Sequence, residues 1–469
     1  MNTHTSAAGA TASTAFSSLS LHPATLQNLQ QLGYEQMTPI QAASLPLTLA
    51  GKDLIAQAST GSGKTAAFGL PLLERLNQRW FAVQGLVLCP TRELADQVAT
   101  EIRRLARAQE NIKVVTVYGG VPSRNQIASL ENGAHIVVGT PGRVMDLIER
   151  GALDISKLQT LVLDEADRML DMGFYADIVT VVEQCPAQRQ TLLFSATYPE
   201  GIAQLAQRFM REPQMVQVAA QHSAHKIAQR WYEVPARHKL DVVVQMLAHF
   251  RPESTIAFCN TKQQCREAVA ALQGQGISAL ALFGELEQRE RDEVLVQFAN
   301  RSCSVLVATD VAARGLDIAN LSAVINIDVT PDPEVHIHRI GRTGRGDAEG
   351  LALHLVDMEE MVHVAKIEQL QGRASEWFDV AELTPAPGGA LLPPMMTIQL
   401  IGGRKEKIRA GDVMGAMCAD FGYTREQIGK ISVNDFSTYV AVDRRIAAEA
   451  CAKLNAGRVK GKSVRARVL

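Results

Sequence analysis

The stretch LVLDEADRML, residues 161–170, decides how the rest of the chain is read. Its apolar start is continuous rather than alternating, so the strand it predicts is covered on both faces, as in a parallel sheet wrapped by helices. Its end carries three carboxylates, Asp164, Glu165 and Asp167, within four positions. A hard divalent cation is the natural partner for so much charge at the end of a buried strand. Capping of the following helix is the alternative, and it suits Asp167 better than Asp164.

Working outward, the same unit recurs: a short apolar run, a polar or glycine turn, then residues at helical period. DLIAQ (53–57), GLVLCP (85–90), VVTVYGG (114–120), HIVVGTP (135–141) and TLLFSAT (191–197) form one series. STIAFCNT (254–261), ALALFGE (279–285), SVLVATD (304–310) and SAVINID (322–328) form a second. Two α/β lobes in tandem are expected, one over 16–218 and one over 230–383. Residues 219–229, without strong periodicity, are expected to be a hinge. The segment 384–394, with Pro385, Pro387, Gly388, Gly389, Pro393 and Pro394, is expected to be a linker. Beyond it, TIQLIGG, a helix over 410–421, IGKISVND, STYVAV, a helix over 445–456 and SVRARVL give a β-α-β-β-α-β order. That is the order of the small ferredoxin-like sheet of many RNA-binding modules.

Bulk properties bound the rest. A chain of 469 residues is too long for one core. Composition is globular, 46% hydrophobic and 20% charged, and no apolar run approaches the 18 residues of a membrane span. The start lacks a basic flank and an apolar core, so a cytoplasmic protein with a disordered tail over 1–15 is expected. Seven scattered cysteines without a C-x-x-C pair argue against a disulfide framework or a zinc site. Residues 395–469 carry 14 Lys/Arg against 7 Asp/Glu, although the whole chain has a net charge of −2. The third unit is therefore the part expected to meet a polyanion.

ASTGSGKT (58–65) follows one predicted strand and opens a helix. Ser59, Thr60, Gly61, Ser62 and Gly63 can curl backbone N–H groups round phosphates, Lys64 supplies a cation, and the Thr65 hydroxyl can ligate Mg²⁺. Ala58 stands where the usual pattern has glycine. Asp164 is then the carboxylate expected to share that Mg²⁺, and Glu165 is left to orient or deprotonate a water facing the γ-phosphate. In GYEQMTPIQ (33–41), the Gln41 carboxamide could pair with the N6/N7 edge of adenine while Phe16 stacks on the base. Helix capping is the plainer reading of Gln41 alone. In HRIGRTGRG (338–346), Arg339, Arg342 and Arg345 lie three residues apart and would share part of one face if helical. An arginine delivered to a transferring phosphoryl group contributes about 10³ to 10⁵ in rate, roughly 4 to 7 kcal/mol of barrier.

With those residues in hand, the chain resembles the DEAD-box RNA helicases from about residue 16 to residue 357. TPIQ, ASTGSGKT, PTRELA (90–95), TPGR (140–143), DEAD, SAT (195–197), FCNT (258–261), ATDVAARGLDI (308–318) and HRIGRTGR occur in the family's order. The resemblance implies two RecA-like parallel-sheet lobes, ATP and Mg²⁺ as cofactors, and hydrolysis of ATP to ADP and phosphate. It implies that Arg342 and Arg345 of the second lobe join Lys64, Asp164 and Glu165 in catalysis. It places Asp317 at the ribose or between the lobes, and has Ser195 and Thr197 couple hydrolysis to strand separation. Thr91, Arg92, Gly120, Thr140, Arg143, Thr261, Thr309 and Arg314 would line the RNA path. Such residues suit loops that grip phosphates and 2′-OH groups without reading bases.

The third unit, an α+β domain similar to an RNA recognition motif, looks like the RNA-binding domain of the DbpA branch, whose members act on 23S ribosomal RNA during large-subunit assembly. It departs from the aromatic pattern of such motifs, with only Phe436 and Tyr439 to stack bases near NDFSTYVAV (434–442). Readout is expected from basic residues such as Arg404, Lys405, Lys407, Lys460, Lys462, Arg465 and Arg467. A basic dimerisation or folding domain is the competing reading. The expected activity is ATP-dependent local unwinding of short RNA duplexes in 23S rRNA, without an obligate protein partner. An ATP-gated RNA clamp and a DNA-translocating helicase are the alternatives.

Overall fold

The structure is a computed structural model and describes residues 14–58, 61–218, 227–313, 321–344 and 349–469. Two compact units follow the chain: the first lobe, and the second lobe together with the third domain.

In the first lobe, seven strands are β1 (Leu54–Gln57), β2 (Gly85–Leu88), β3 (Val114–Val117), β4 (Ile136–Gly139), β5 (Thr160–Asp164), β6 (Gln190–Ser195) and β7 (Gln214–Gln217). They pair in parallel in the order β3-β4-β2-β5-β6-β1-β7. Leu161, Val162 and Leu163 of β5 are at most 3% exposed, as continuous burial on both faces requires. One core, under the helices Lys64–Glu74 and Arg92–Leu105, takes Phe68, Val87, Val162 and Phe194; the opposite core takes Leu86, Leu161, Leu163 and Ile178. Because all strands run the same way, every loop that follows a strand emerges at one edge of the sheet.

The second lobe has β8 (Ile227–Glu233), β9 (Thr255–Phe258), β10 (Ala279–Leu282), β11 (Val305–Ala308), β12 (Ala323–Asn326) and β13 (Gly350–Val356). These are again parallel, in the order β10-β11-β9-β12-β13-β8. The last three residues of the expected hinge, 227–229, belong to β8. Residues 219–226 lie outside the described set, but Ile227, Ala228 and Gln229 already pair with Gly350, Leu351 and Ala352 of β13. Pairing with a strand more than a hundred residues away draws polar Gln229 into the sheet, a constraint that local periodicity does not carry.

The third domain has β14 (Met395–Ile401), β15 (Ile428–Val433), β16 (Ser437–Asp443) and β17 (Arg465–Val468), antiparallel in the order β15-β16-β14-β17. Its helices, Ala410–Gly415 continued by a wider turn over Ala416–Asp420, and Ala447–Ala456, cover one face of the sheet. Ile398, Leu400, Val440 and Val442 point into that core with Val413, Met417 and Leu454. By strict alternation, Thr397, Gln399 and Tyr439 occupy the opposite face. That face is not open: Thr397, Gln399 and Tyr439 are 0%, 2% and 3% exposed. Lobe 2 covers it through the helix Gln288–Ala299 and the turn that follows. Tyr439 is thus not available to stack a base. Its hydroxyl accepts from Gln399 at 3.1 Å in a buried contact. No helix among the described residues is long and apolar enough to cross a membrane.

Candidate nucleotide and RNA site

Three neighbouring strands carry the residues expected to hold the nucleotide. The phosphate loop follows β1, the acidic cluster closes β5, and Ser195 ends β6, which lies between them. Ser59 and Thr60 lie outside the described residues; Gly61, Ser62 and Gly63 form the turn before the helix Lys64–Glu74. Gly63 has φ +93°, and a Cβ there would fall 2.5 Å from Gln41 Nε2, so both backbone and neighbour require glycine. Gln41 has one foot in each element. Its Oε1 accepts from Thr38 N at 2.9 Å, closing a capping box, and its Nε2 donates to the Gly63 carbonyl at 3.0 Å. The carboxamide thus serves as cap and as brace for the phosphate loop, with one N–H and one lone pair left over. Phe16 is 5% exposed and packs edge-on to Tyr34, ring centres 6.0 Å apart.

Lys64, 6% exposed, donates to the Ala58 carbonyl at 3.2 Å across the loop. Asp164 is 3% exposed and its Oδ1 is buried without a hydrogen-bond partner. Burial pushes its carboxyl up to about 7, Lys64 opposes that shift, and Glu165 and Asp167 reinforce it. An orphaned buried carboxylate oxygen is what a hard cation would satisfy, so Asp164 with the Thr65 hydroxyl at the helix start fits a nucleotide-bound Mg²⁺. Few protein ligands are needed, because Mg²⁺ in such sites keeps waters and phosphate oxygens. Glu165 sits in the left-handed region at φ 52°, ψ 51°, and pairs with Arg168 at 3.5 Å, both side chains about 5% exposed. A non-glycine residue held there marks a strained corner of the kind found at functional sites.

From sequence alone, helix capping is the alternative reading that suits Asp167 best. In the structure its Oδ2 accepts from Ala196 N at 3.1 Å, Thr197 N at 2.9 Å and Thr197 Oγ1 at 3.0 Å, while its own N–H donates to Ser195 Oγ at 3.3 Å. The DEAD and SAT segments are one hydrogen-bonded body, and Ala58 N donating to Ser195 O at 2.9 Å ties the phosphate-loop strand to it. The sequence signal for Asp167 is its place in the acidic run; its partner, 30 residues downstream, is not visible locally.

The RNA-facing candidates of the first lobe sit on the other half of the same edge. Thr91 after β2 and Thr140 after β4 are the N-caps of the helices Arg92–Leu105 and Pro141–Glu149, and Gly120 follows β3 with φ +77°. Arg92 lies over the Tyr118 ring at 5.7 Å, and Arg143 donates to Gln126 Oε1 and the Val121 carbonyl, both at 3.1 Å. In the second lobe, Thr261 after β9 caps the helix Lys262–Gly274, and Thr309 after β11 opens the short helix Asp310–Ala313. A threonine at the start of a helix sets N–H donors beside a hydroxyl, a pairing that suits backbone phosphates.

The arginine run does not form one helical face. The helix Pro333–Ile340 stops at Gly341, so Arg342 lies in the turn beyond it. Arg339 is buried inside lobe 2, bonded to Asp310 at 2.6 and 2.7 Å, to Asn326 Oδ1 at 3.1 Å, to the Asp328 carbonyl at 2.6 Å and to Asn260 at 3.0 Å. It therefore fixes the segment that carries Thr309. Arg342 is 5% exposed. Arg345, Arg314 and Asp317 lie outside the described residues.

In the third domain, Lys460 Nζ donates to the Lys407 carbonyl at 2.8 Å and reaches Asp412 at 3.2 Å, and Lys462 Nζ donates to the Glu406 carbonyl at 2.7 Å. These lysines clasp the loop that bears Arg404 and Lys405. Phe436 is 65% exposed with Lys405 Nζ 5.6 Å from its ring centre, leaving one aromatic at this basic end.

Comparison with known proteins agrees with this geometry. The DEAD/DEAH box helicase family matches residues 38–205, the helicase conserved C-terminal domain residues 238–347, and the DbpA RNA binding domain residues 397–468. The chain is 49% identical over 459 residues to the ATP-dependent RNA helicase DbpA of Escherichia coli K12, covering 97% of this chain and 100% of that protein. It is 44% identical to the DEAD-box ATP-dependent RNA helicase CshA of Geobacillus kaustophilus, covering 77% and 78%. S. cerevisiae Dbp5 bound to RNA and ADP BeF3 superposes with a TM-score of 0.72 at 30% identity, over 78% of this chain and 96% of that one. On that full-length likeness, and on the placement of the motif loops at one sheet edge in each lobe, the chain belongs to the DEAD-box ATP-dependent RNA helicases, as a member that carries a DbpA RNA-binding domain.

Proposed function

We propose that this helicase opens short RNA duplexes locally in 23S rRNA of assembling large ribosomal subunits, held there by its third domain. The observation that carries the reading is the Asp167 network: the carboxylate cluster that would sense the nucleotide is bonded directly to Ser195 and Thr197, on the edge that also bears Thr91, Gly120 and Thr140. A change at the γ-phosphate would reach Ser195 and Thr197 directly, on the sheet edge that also bears those loops.

In this reading Lys64 holds the phosphates, Thr65 and Asp164 hold Mg²⁺, which neutralises charge on the triphosphate, and Glu165 orients the attacking water. Release of Glu165 from Arg168 frees its carboxylate for that task. Arg342 and Arg345 supply the guanidinium charge that stabilises the transferring phosphoryl group, and Asp317 contacts the ribose. Gln41 and Phe16 read the adenine. Thr91, Arg92, Gly120, Thr140, Arg143, Thr261, Thr309 and Arg314 hold the RNA backbone without reading bases, and Arg404 and Lys405 anchor the chain, their loop clasped by Lys460 and Lys462. The protein would act in the cytoplasm and without an obligate protein partner. The likeness of the third domain to the DbpA RNA binding domain supports the ribosomal target.

Duplex displacement with a 23S rRNA fragment tests the reading. The full chain should displace a short strand only with ATP and prefer the ribosomal fragment over unrelated RNA of equal length. A chain lacking 395–469 should keep basal ATPase, lose that preference and show a shallower salt dependence of binding. Equal preference with and without 395–469 overturns the anchoring role, and ATP-dependent binding without strand displacement marks a clamp instead.

A further inference from the structure

The contact between the third domain and lobe 2 is polar, buried at its Thr397–Ser302–Asn300 end and open to solvent at Arg467. The Thr397 hydroxyl lies 2.7 Å from Ser302 Oγ and accepts from Asn300 Nδ2 at 3.1 Å. Next to it, Gln399 donates to Glu293 Oε1 at 3.2 Å and accepts from Arg467 Nε at 2.6 Å; Arg467 Nη2 in turn reaches both Glu293 oxygens at 3.3 and 3.4 Å. Tyr439, Gln399 and Arg467 are register partners across β16, β14 and β17, so one row of the sheet is gathered onto a single lobe 2 carboxylate. The backbone joins too, with Met395 N donating to Arg301 O at 3.3 Å.

This is the face on which a sheet of this type would stack unpaired bases. Here its polar atoms are already matched to protein partners. A buried polar group left unmatched is costly, so a network of this kind holds one relative orientation and penalises slippage. The other end of the domain, with exposed Phe436 beside Lys405, is left uncovered by this contact.

We propose that the sheet face of the third domain is a built joint to lobe 2, keyed by Glu293, and not an RNA surface. Through it, RNA gripped at the Phe436 end is carried at a fixed direction from lobe 2. Glu293 is a positioning residue: it touches neither nucleotide nor RNA. The part of this inference that concerns RNA rests on the function proposed above; the joint itself does not.

The full chain, carrying a fluorescence donor on lobe 2 and an acceptor on the third domain, tests the joint without RNA. Glu293→Arg should broaden or shift the inter-dye distance distribution, Arg467→Glu should do the same, and the double exchange should restore the parent distribution. Thr397→Val with Ser302→Ala, which keeps volume while removing the buried hydroxyl pair, serves as a second perturbation. An unchanged distribution in Glu293→Arg and in the hydroxyl pair overturns the joint. With RNA, Glu293→Arg should leave affinity within about threefold yet lower strands displaced per ATP by about tenfold. Phe436→Ala should weaken binding by about tenfold or more, within the range of a base-stacking contact. Gln399→Ala and Tyr439→Phe should leave binding within about twofold. Loss of affinity in those two equal to that of Phe436→Ala makes the sheet an RNA surface and overturns the proposal. Failure of the parent chain to displace RNA at all, with the distance results intact, faults the functional reading instead.

Discussion

Replacing Asp167 with Asn keeps the shape of the link between DEAD and SAT and removes its charge. Three donors converge on one Asp167 oxygen, at 2.9 to 3.1 Å. Hydrogen bonds to a charged acceptor contribute about 1.5–3 kcal/mol each and neutral ones about 0.5–1.5, so neutralising the acceptor weakens the set by roughly 3 kcal/mol. The carboxylate is only 5% exposed, and relief of its desolvation offsets part of that loss. The net expectation is about 1–2 kcal/mol, or roughly 2–8 °C in the melting of a lobe of this size. Asp167→Ala, which leaves the donors without an acceptor, should cost more, about 3–5 kcal/mol. The distinctive result is functional: Asp167→Asn should retain nucleotide binding while strands displaced per ATP hydrolysed fall several-fold. Thermal melting combined with parallel ATPase and displacement assays reads both effects. A variant that melts with the parent and keeps its displacement-to-hydrolysis ratio would refute the coupling assigned to this network.

Lys64→Ala should abolish RNA-stimulated ATP turnover, because Lys64 is the one cation of the phosphate loop, and retained turnover in a phosphate-release assay would show the loop to be misassigned. Glu165→Gln should bind ATP and RNA yet hydrolyse slowly, giving a long-lived ternary complex on a filter-binding time course; normal turnover would remove Glu165 from its role. Burial, with Arg339 and Arg373 nearby, holds His336 down at about 3 against its usual 6.5, and buried His354 is held down as well. The unfolded chain takes up these protons as pH falls through 6.5 and the folded chain does not, so stability is complete above that value and declines toward acid. By about pH 5 the His336 share is about 2 kcal/mol, and His336→Gln should flatten that part of the decline in denaturant melts; an equal decline in parent and variant would contradict it.

The parallel sheets were legible because continuous runs such as LVLD and VLVA need no partner to announce burial on both faces. The strand before ASTGSGKT and the helix after it were legible despite Ala58, since the apolar run of DLIAQ and the residues from Lys64 onward carry their own periodicity. What stayed hidden depends on distant partners. Tyr439 reads as an exposed aromatic in its own strand, and it is helix Gln288–Ala299 with the turn after it, more than a hundred residues upstream, that closes its face. Gln229 belongs to a strand through β13, which lies beyond residue 349. Arg339 shares its spacing with Arg342, but Asp310, Asn326 and Asn260 converge on it from three other segments and turn it inward. Lys460 and Lys462, expected from the sequence to meet RNA, also hold the loop of Arg404 and Lys405 in place through carbonyls some fifty residues upstream.

The proposed mechanism requires Arg342 and Arg345 to reach the triphosphate assigned to Lys64 and Asp164. A structure of the full chain with RNA and a non-hydrolysable ATP analogue measures this directly. Both guanidinium groups are predicted within about 3 Å of phosphate oxygens, as charge-assisted hydrogen bonds require; guanidinium groups turned away from the nucleotide in that complex would contradict the mechanism.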